Sequence, residues 1–235
     1  MRCFHLLLVL SATLLTGRGD RLWSADVEVV TGGLMASEGG DWKPESSPLT
    51  APFGVAFDRA NTMWIVELEG GRVHALSADG VLRQAGGDGS RSYRGDGGPL
   101  QQATFDGMHN CAVLPNDDLL IADSWNHCIR RVSAETQTIT TIAGNGTSGY
   151  NGDGIVATAA SLNFANDVAV DSAGNVYIAD NGNNRIRKIN TSGIISTIAG
   201  SPVYGFSGDG GPSTAAKLYY PEGIAADSAG NVFIC

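Results

Sequence analysis

Positive charge is scarce in this 235-residue chain: 15 Lys and Arg stand against 24 Asp and Glu, for a net charge of −9. Nucleic-acid binding needs a concentrated basic surface to displace counterions, and no stretch supplies one. The pairs Arg130-Arg131 and Arg187-Lys188 have acids close by in sequence, so nucleic acid is excluded as a partner. Long apolar runs are equally rare. The stretch Phe4–Leu15 is too short for a comfortable membrane span. With Arg2 before it and Gly17 and Gly19 after it, it predicts a secretory leader at 1–19, cut after Gly19. The expected product is secreted or periplasmic, with membrane attachment only if the leader is retained. Cysteine is limited to four residues, too few to predict a disulfide framework. A nucleophile paired with a base is also missing, since His74 and His109 have no Ser or Cys at a suggestive spacing.

Glycine is abundant, at 32 residues, and sits at turns between short apolar runs. The block Ile-Ala-Asp-x-x-Asn-x-x-Ile-Arg stands at Ile121–Arg130 and again at Ile178–Arg187. Glu67, Asp123 and Asp180 are spaced by 56 and 57 residues; Leu49, Phe105, Leu162 and Leu218 by 56, 57 and 56. A period of this length identifies a tandem architecture. Each unit resolves into four short strands, set in the third copy at 168–171, 176–179, 186–189 and 195–199. Asp171-Ser-Ala-Gly-Asn175 and Asp227-Ser-Ala-Gly-Asn231 are hairpin turns. Four-stranded units in tandem predict an all-β fold, a β-propeller. The blades run over 52–86, 108–144 and 165–200, with an incomplete one at 221–235. The N-terminal segment 20–51 holds a candidate closing strand at 27–33, whose residues are similar to the last strand of each unit. Slot comparison also assigns the cysteines. Cys111 takes the place of Val55, Val168 and Ile224, and Cys235 that of Ala122 and Ala179, so both are expected as small buried groups. Cys128 takes the place of Arg72 and Arg185.

On Tyr177-Ile-Ala-Asp-Asn-Gly-Asn-Asn-Arg-Ile-Arg187 and its copies, the chain resembles NHL-repeat propellers of the long-repeat bacterial kind, over about 27–235. The resemblance implies six blades, about 340 residues at this period, of which about three and a half are present. The sequence is therefore expected to be a fragment. It implies a fold more than a function.

Repeated residues are expected to build the blades. Glu67 with Arg72, and Asp180 with Arg185, predict an acid–Arg link; Cys128 breaks it in blade two, which leaves Asp123 free for a ligand. Asp96, Asp153 and Asp209, in the aromatic-x-Gly-Asp-Gly loops, are expected to cap turns. One carboxylate per loop falls short of a Ca²⁺ site. Arg94-Gly-Asp96 is no adhesion motif, because the other copies put Asn151 and Ser207 in place of Arg94.

Departures from the repeat are where chemistry is expected. Just before each first strand one slot holds Phe53, His109, Asn166 and Glu222, and the next holds Gly54, Asn110, Asp167 and Gly223. In a propeller these converge at a mouth of the central channel. The predicted rim on the long-loop face is His109, Asn110, Asp123, Asn166, Asp167 and Glu222, binding a protein or a small molecule without catalysis. In the alternative, His109, Asn166 and Glu222 hold a divalent cation with open positions for substrate. Resemblance to gluconolactonase-like propellers would then imply a metal-dependent lactonase or lyase.

Overall fold

Runs such as Leu119-Leu120-Ile121-Ala122 and Val176-Tyr177-Ile178-Ala179 are apolar at every position, the pattern of a strand covered on both faces. In the computed structural model each is the second strand of a four-stranded antiparallel sheet. The structure describes residues 7–12, 25–31 and 49–235. Strands β1 (Leu7–Ala12) and β2 (Ala25–Thr31) pair antiparallel with each other. The leader expectation otherwise lies outside the described residues, as do positions 32 and 33 of the candidate closing strand.

Blade one comprises β3 (Pro52–Phe57), β4 (Met63–Glu67), β5 (Val73–Leu76) and β6 (Leu82–Gly86). Blade two comprises β7 (Met108–Val113), β8 (Leu119–Asp123), β9 (Cys128–Val132) and β10 (Ile139–Ala143). After β11 (Ile155–Val156), blade three follows with β12 (Ala165–Val170), β13 (Val176–Asp180), β14 (Arg185–Ile189) and β15 (Ile194–Ala199). Strands β16 (Ile224–Ala226) and β17 (Val232–Ile234) form a further hairpin. Within each four-stranded blade the strands lie side by side in chain order. Strand β11 is an addition to the expected plan: it pairs with β15 and extends blade three at its outer edge.

First strands pack on one another from blade to blade, β3 on β7, β7 on β12 and β12 on β16. That is the radial arrangement of a propeller, with first strands innermost. Side chains alternate across each sheet, so neighbouring residues serve different interfaces. Leu119 and Ile121 face blade one, with Val66 and Val73. Leu120 and Ala122 face blade three, with Val168 and Ile178. Phe105 and Leu162, from the long connections, plug these two interfaces and are fully buried. Each buried side chain of this size contributes about 1.5–3 kcal/mol, so stability resides between blades as much as within them. Cys111 belongs to the first interface, as its slot predicts.

Antiparallel order places short hairpin turns on one face and long connections on the other. At Asp171 the carboxylate accepts the N–H groups of Ala173 and Asn175, and Gly174 supplies the positive φ of 84°. The long-connection face carries the ends of the second strands and the entries to the first. At each entry the backbone turns left-handed, at Ala51 (φ 50°), Gly107 (64°), Phe164 (50°) and Tyr220 (47°). Bulky residues seldom adopt this conformation, yet Phe164 and Tyr220 do so with their rings exposed.

Candidate functional site

Two sets of polar groups occupy the long-connection face. The first explains the repeated block. Asp123, wholly buried, accepts both contacts from the Asn126 amide at 3.0 Å, the Asp106 N–H at 2.8 Å and the Arg130 guanidinium at 3.4 Å. Asp180 repeats the arrangement with Asn183, the Asn163 N–H and Arg187. A 3-10 turn at Ser124–Asn126 or Asn181–Asn183 brings the Asn back over the acid. It ends in a left-handed residue, His127 or Asn184, each at φ 54°. Burial pushes the Asp123 carboxyl up to about 6, against the pull of its donors, and raises Asp180 as well. Each buried Arg also reaches the Gly-Asp-Gly loop of the preceding connection. Arg130 meets Asp96 at 2.6 Å and lies over the Tyr93 ring; Arg187 meets Asp153 at 3.0 Å and lies over the Tyr150 ring.

These contacts correct three expectations. Asp123 is not free for a ligand, because its partner is Arg130 and not a residue at position 128. Asp123 and Cys128 are directly opposed across the strands, and Arg130 is two residues further along the same face. Its longer side chain reaches back to the acid. Arg185 likewise bonds the Asn183 carbonyl and stacks on Tyr150, leaving Asp180 to Arg187. Only in blade one does the expected pair stand, Arg72 with Glu67 at 3.7 Å. There His74 occupies the slot of the buried Arg and contacts Glu67 at 3.1 Å. Finally, Asp96 and Asp153 are not turn caps. They receive the next blade's Arg, and Asp96 also takes the Thr141 N–H. Burial works against ionisation of Asp96, but Thr141 and Arg130 together hold its carboxyl below the usual range. The Asp209 loop is exposed, with Phe206 beside it 90% accessible.

The second set lies at the channel mouth. A cavity of about 280 Å³ is lined by Phe53, His109, Asn110, Asn166, Asp167, Glu222, Gly223 and Cys235. It gathers five of the six predicted rim residues; Asp123 is not among them. The two slots differ in what they do there. Asp167 accepts the Asn110 amide from blade two, the Val168 N–H of its own strand and the Ile224 N–H beyond. That carboxylate ties three consecutive inner strands together, and burial raises its pKa against these three donors. Asn110 spends its oxygen on the Cys111 N–H.

Of the slot-mates Phe53, His109, Asn166 and Glu222, the three polar ones retain hydrogen-bonding capacity. Asn166 donates to Glu222 Oε2 at 3.0 Å, and Asn181 donates to Oε1 at 3.1 Å. A carboxylate only accepts, so the Asn166 nitrogen must face it, which fixes the amide orientation. Its Oδ1 is then buried with no hydrogen-bond partner. His109 Nδ1 lies 2.8 Å from the Gly107 carbonyl. That carbonyl can only accept, so Nδ1 carries the proton and a neutral ring has Nε2 as an acceptor. The His109 ring packs edge-on to Phe53 and Trp125. Among the described residues no three His, Cys, Asp or Glu are grouped to hold a metal ion.

Sequence reasoning missed Asn181 and Trp125. Asn181 shares its slot with Ser124, and both reach the next blade's first strand, Ser124 at the Ala165 carbonyl and Asn181 at Pro221. Slot comparison carried over to that position would have found it. Cys235, expected as a buried group, is exposed.

Residues 139–207 match the Teneurin NHL domain family, and residues 111–132 the NHL repeat family. Two stretches of this chain thus match NHL families. The chain is 27% identical to Teneurin-1 of Mus musculus over 244 residues, 93% of its own length and 8% of that protein. It thus spans under a tenth of the curated relatives it matches. Among solved structures it resembles a protein of unknown function from Bacteroides thetaiotaomicron, with TM-score 0.62 and 21% identity, covering 78% of this chain and 44% of that one. It also resembles an auxiliary nutrient binding protein from Bacteroides ovatus, with TM-score 0.56 and 17% identity, covering 78% and 45%. These likenesses bear on the fold: an all-β propeller built of four-stranded blades. No described helix is long and apolar enough to cross a membrane.

Proposed function

We propose that this chain is an exported NHL-repeat propeller whose channel mouth binds a ligand without catalysis. The leader at 1–19 directs export, and His109, Asn166 and Glu222 form the binding set. The observation that carries this reading is the buried, unpartnered Oδ1 of Asn166, a residue that lines the mouth cavity. An unmet buried acceptor costs about 1–3 kcal/mol, and a bound donor recovers that cost. Asn110 and Asp167 line the same cavity but are engaged in joining strands, so they shape the site more than they contact the ligand. Resemblance to a nutrient binding protein is in keeping with a ligand-binding role.

A thermal-shift screen of the full chain against small polar metabolites tests the proposal. A ligand at 100 times its Kd stabilises the fold by about 2.7 kcal/mol, a clear rise in Tm. That rise should vanish in His109→Ala and Asn166→Ala. Hits that stabilise both variants as much as the parent would place binding elsewhere and refute the assignment.

A further inference from the structure

We propose that the mouth cavity selects a small organic ammonium, a primary amine carried on a short apolar group. This rests on the mouth being the ligand site, and it names the ligand's chemistry. Each polar slot residue carries an acceptor with capacity to spare. Asn166 Oδ1 is unpartnered, His109 Nε2 bears a lone pair in the neutral ring, and Glu222 is a carboxylate. The nearby amides each direct an N–H at a carboxylate, Asn166 and Asn181 at Glu222 and Asn110 at Asp167. No Lys or Arg among the described residues pairs with Glu222 or Asp167. Two carboxylates at the cavity without a cationic side chain attract positive charge and repel anions.

The walls separate an organic cation from a bare one. Phe53 presents a half-exposed ring at the cavity edge, packed on His109. An aromatic face beside carboxylates favours an alkylammonium, whose charge meets the acids while its carbon tail covers the ring. At about 280 Å³ the cavity exceeds the needs of a single desolvated ion. An –NH₃⁺ group has three donors and no acceptor, which matches the open acceptors of Asn166, His109 and Glu222.

The test is calorimetric titration of the full chain with n-butylammonium, n-butanol, butyrate and Ca²⁺, repeated on Glu222→Gln and Phe53→Leu. Glu222→Gln is near-isosteric and Phe53 is half-exposed, and a Tm close to the parent's confirms that each variant is folded. Butylammonium is expected to bind, with butanol and butyrate at least tenfold weaker. Each substitution should weaken butylammonium by about tenfold, the scale of losing one charge-assisted contact or aromatic face. Tighter binding of butanol, butyrate or Ca²⁺, abolished by Glu222→Gln, would overturn the ammonium assignment and leave the mouth as a binding site. Absence of heat with all four probes would overturn the ammonium assignment, while the metabolite screen above decides whether the mouth binds a ligand at all. Butylammonium binding unchanged in both variants would place the amine elsewhere and overturn the inference.

Discussion

The buried Asp–Asn–Arg clusters and the channel-mouth slot lie on the same face of the same repeats, yet they follow opposite rules. Asp123, Asn126 and Arg130 recur as Asp180, Asn183 and Arg187 with the same contacts. The mouth slot changes chemistry in every copy, from Phe53 to His109, Asn166 and Glu222. A group that must satisfy the same backbone N–H and the same loop in each blade has little freedom to vary. A slot pointing at the shared channel is relieved of that duty, and it is there that acceptors remain unspent. Repetition marks what holds the blades together, and departure from it marks what faces a ligand.

The comparison is most exposed to breakage at the arginines. Replacing Arg130 or Arg187 by Ala leaves a buried carboxylate uncompensated, and the expected loss is about 3–5 kcal/mol, read from urea unfolding. A loss under 1 kcal/mol would mean the clusters are not the fold's anchors. The same acids give a pH dependence. Burial raises Asp123 to about 6 and raises Asp180, both from 3.8. The folded state therefore holds its protons more tightly than the unfolded chain. Their contribution favours folding below about pH 4 and is lost as pH rises toward 6. Asp123→Asn should flatten that fall in urea midpoints between pH 4 and 6; an unchanged slope would show that Asp123 does not titrate there.

Smaller effects sharpen the contrast. Gly107, at φ 64°, has no room for a side chain, since an added Cβ would lie 2.3 Å from Trp125 Cδ2. Gly107→Ala should cost about 1–2 kcal/mol by thermal unfolding, with part recovered when Trp125→Gly is added. At the mouth, His109→Ala should cost about 1 kcal/mol or less while changing ligand binding. A large stability loss there, with binding intact, would reverse the roles assigned to the two regions.

Much of this was legible in sequence because the repeat supplies its own comparison. The four-stranded units followed from aligning copies, and five of the six predicted mouth residues line one cavity. The Arg partner of each acid was misplaced because sequence distance favoured position 128 or 185. Strand pairing does put that residue opposite the acid, but the longer diagonal reach from Arg130 or Arg187 makes the bond. Asn126 stands in the repeated block, but its role was hidden for a similar reason: only the 3-10 turn folds its amide back onto Asp123. The short strand β11 gave no signal at all, since Ile155–Val156 has too few residues for any period to show.

A ligand should be felt at the channel mouth, and side-chain amides stand in both regions to report it. In ¹⁵N–¹H spectra of the full chain titrated with n-butylammonium, the Asn166 side-chain amide should shift, with Asn126 and Asn183 unmoved. Shifts concentrated at Asn126 or Asn183, with Asn166 silent, would contradict the division of labour between the repeated clusters and the channel mouth.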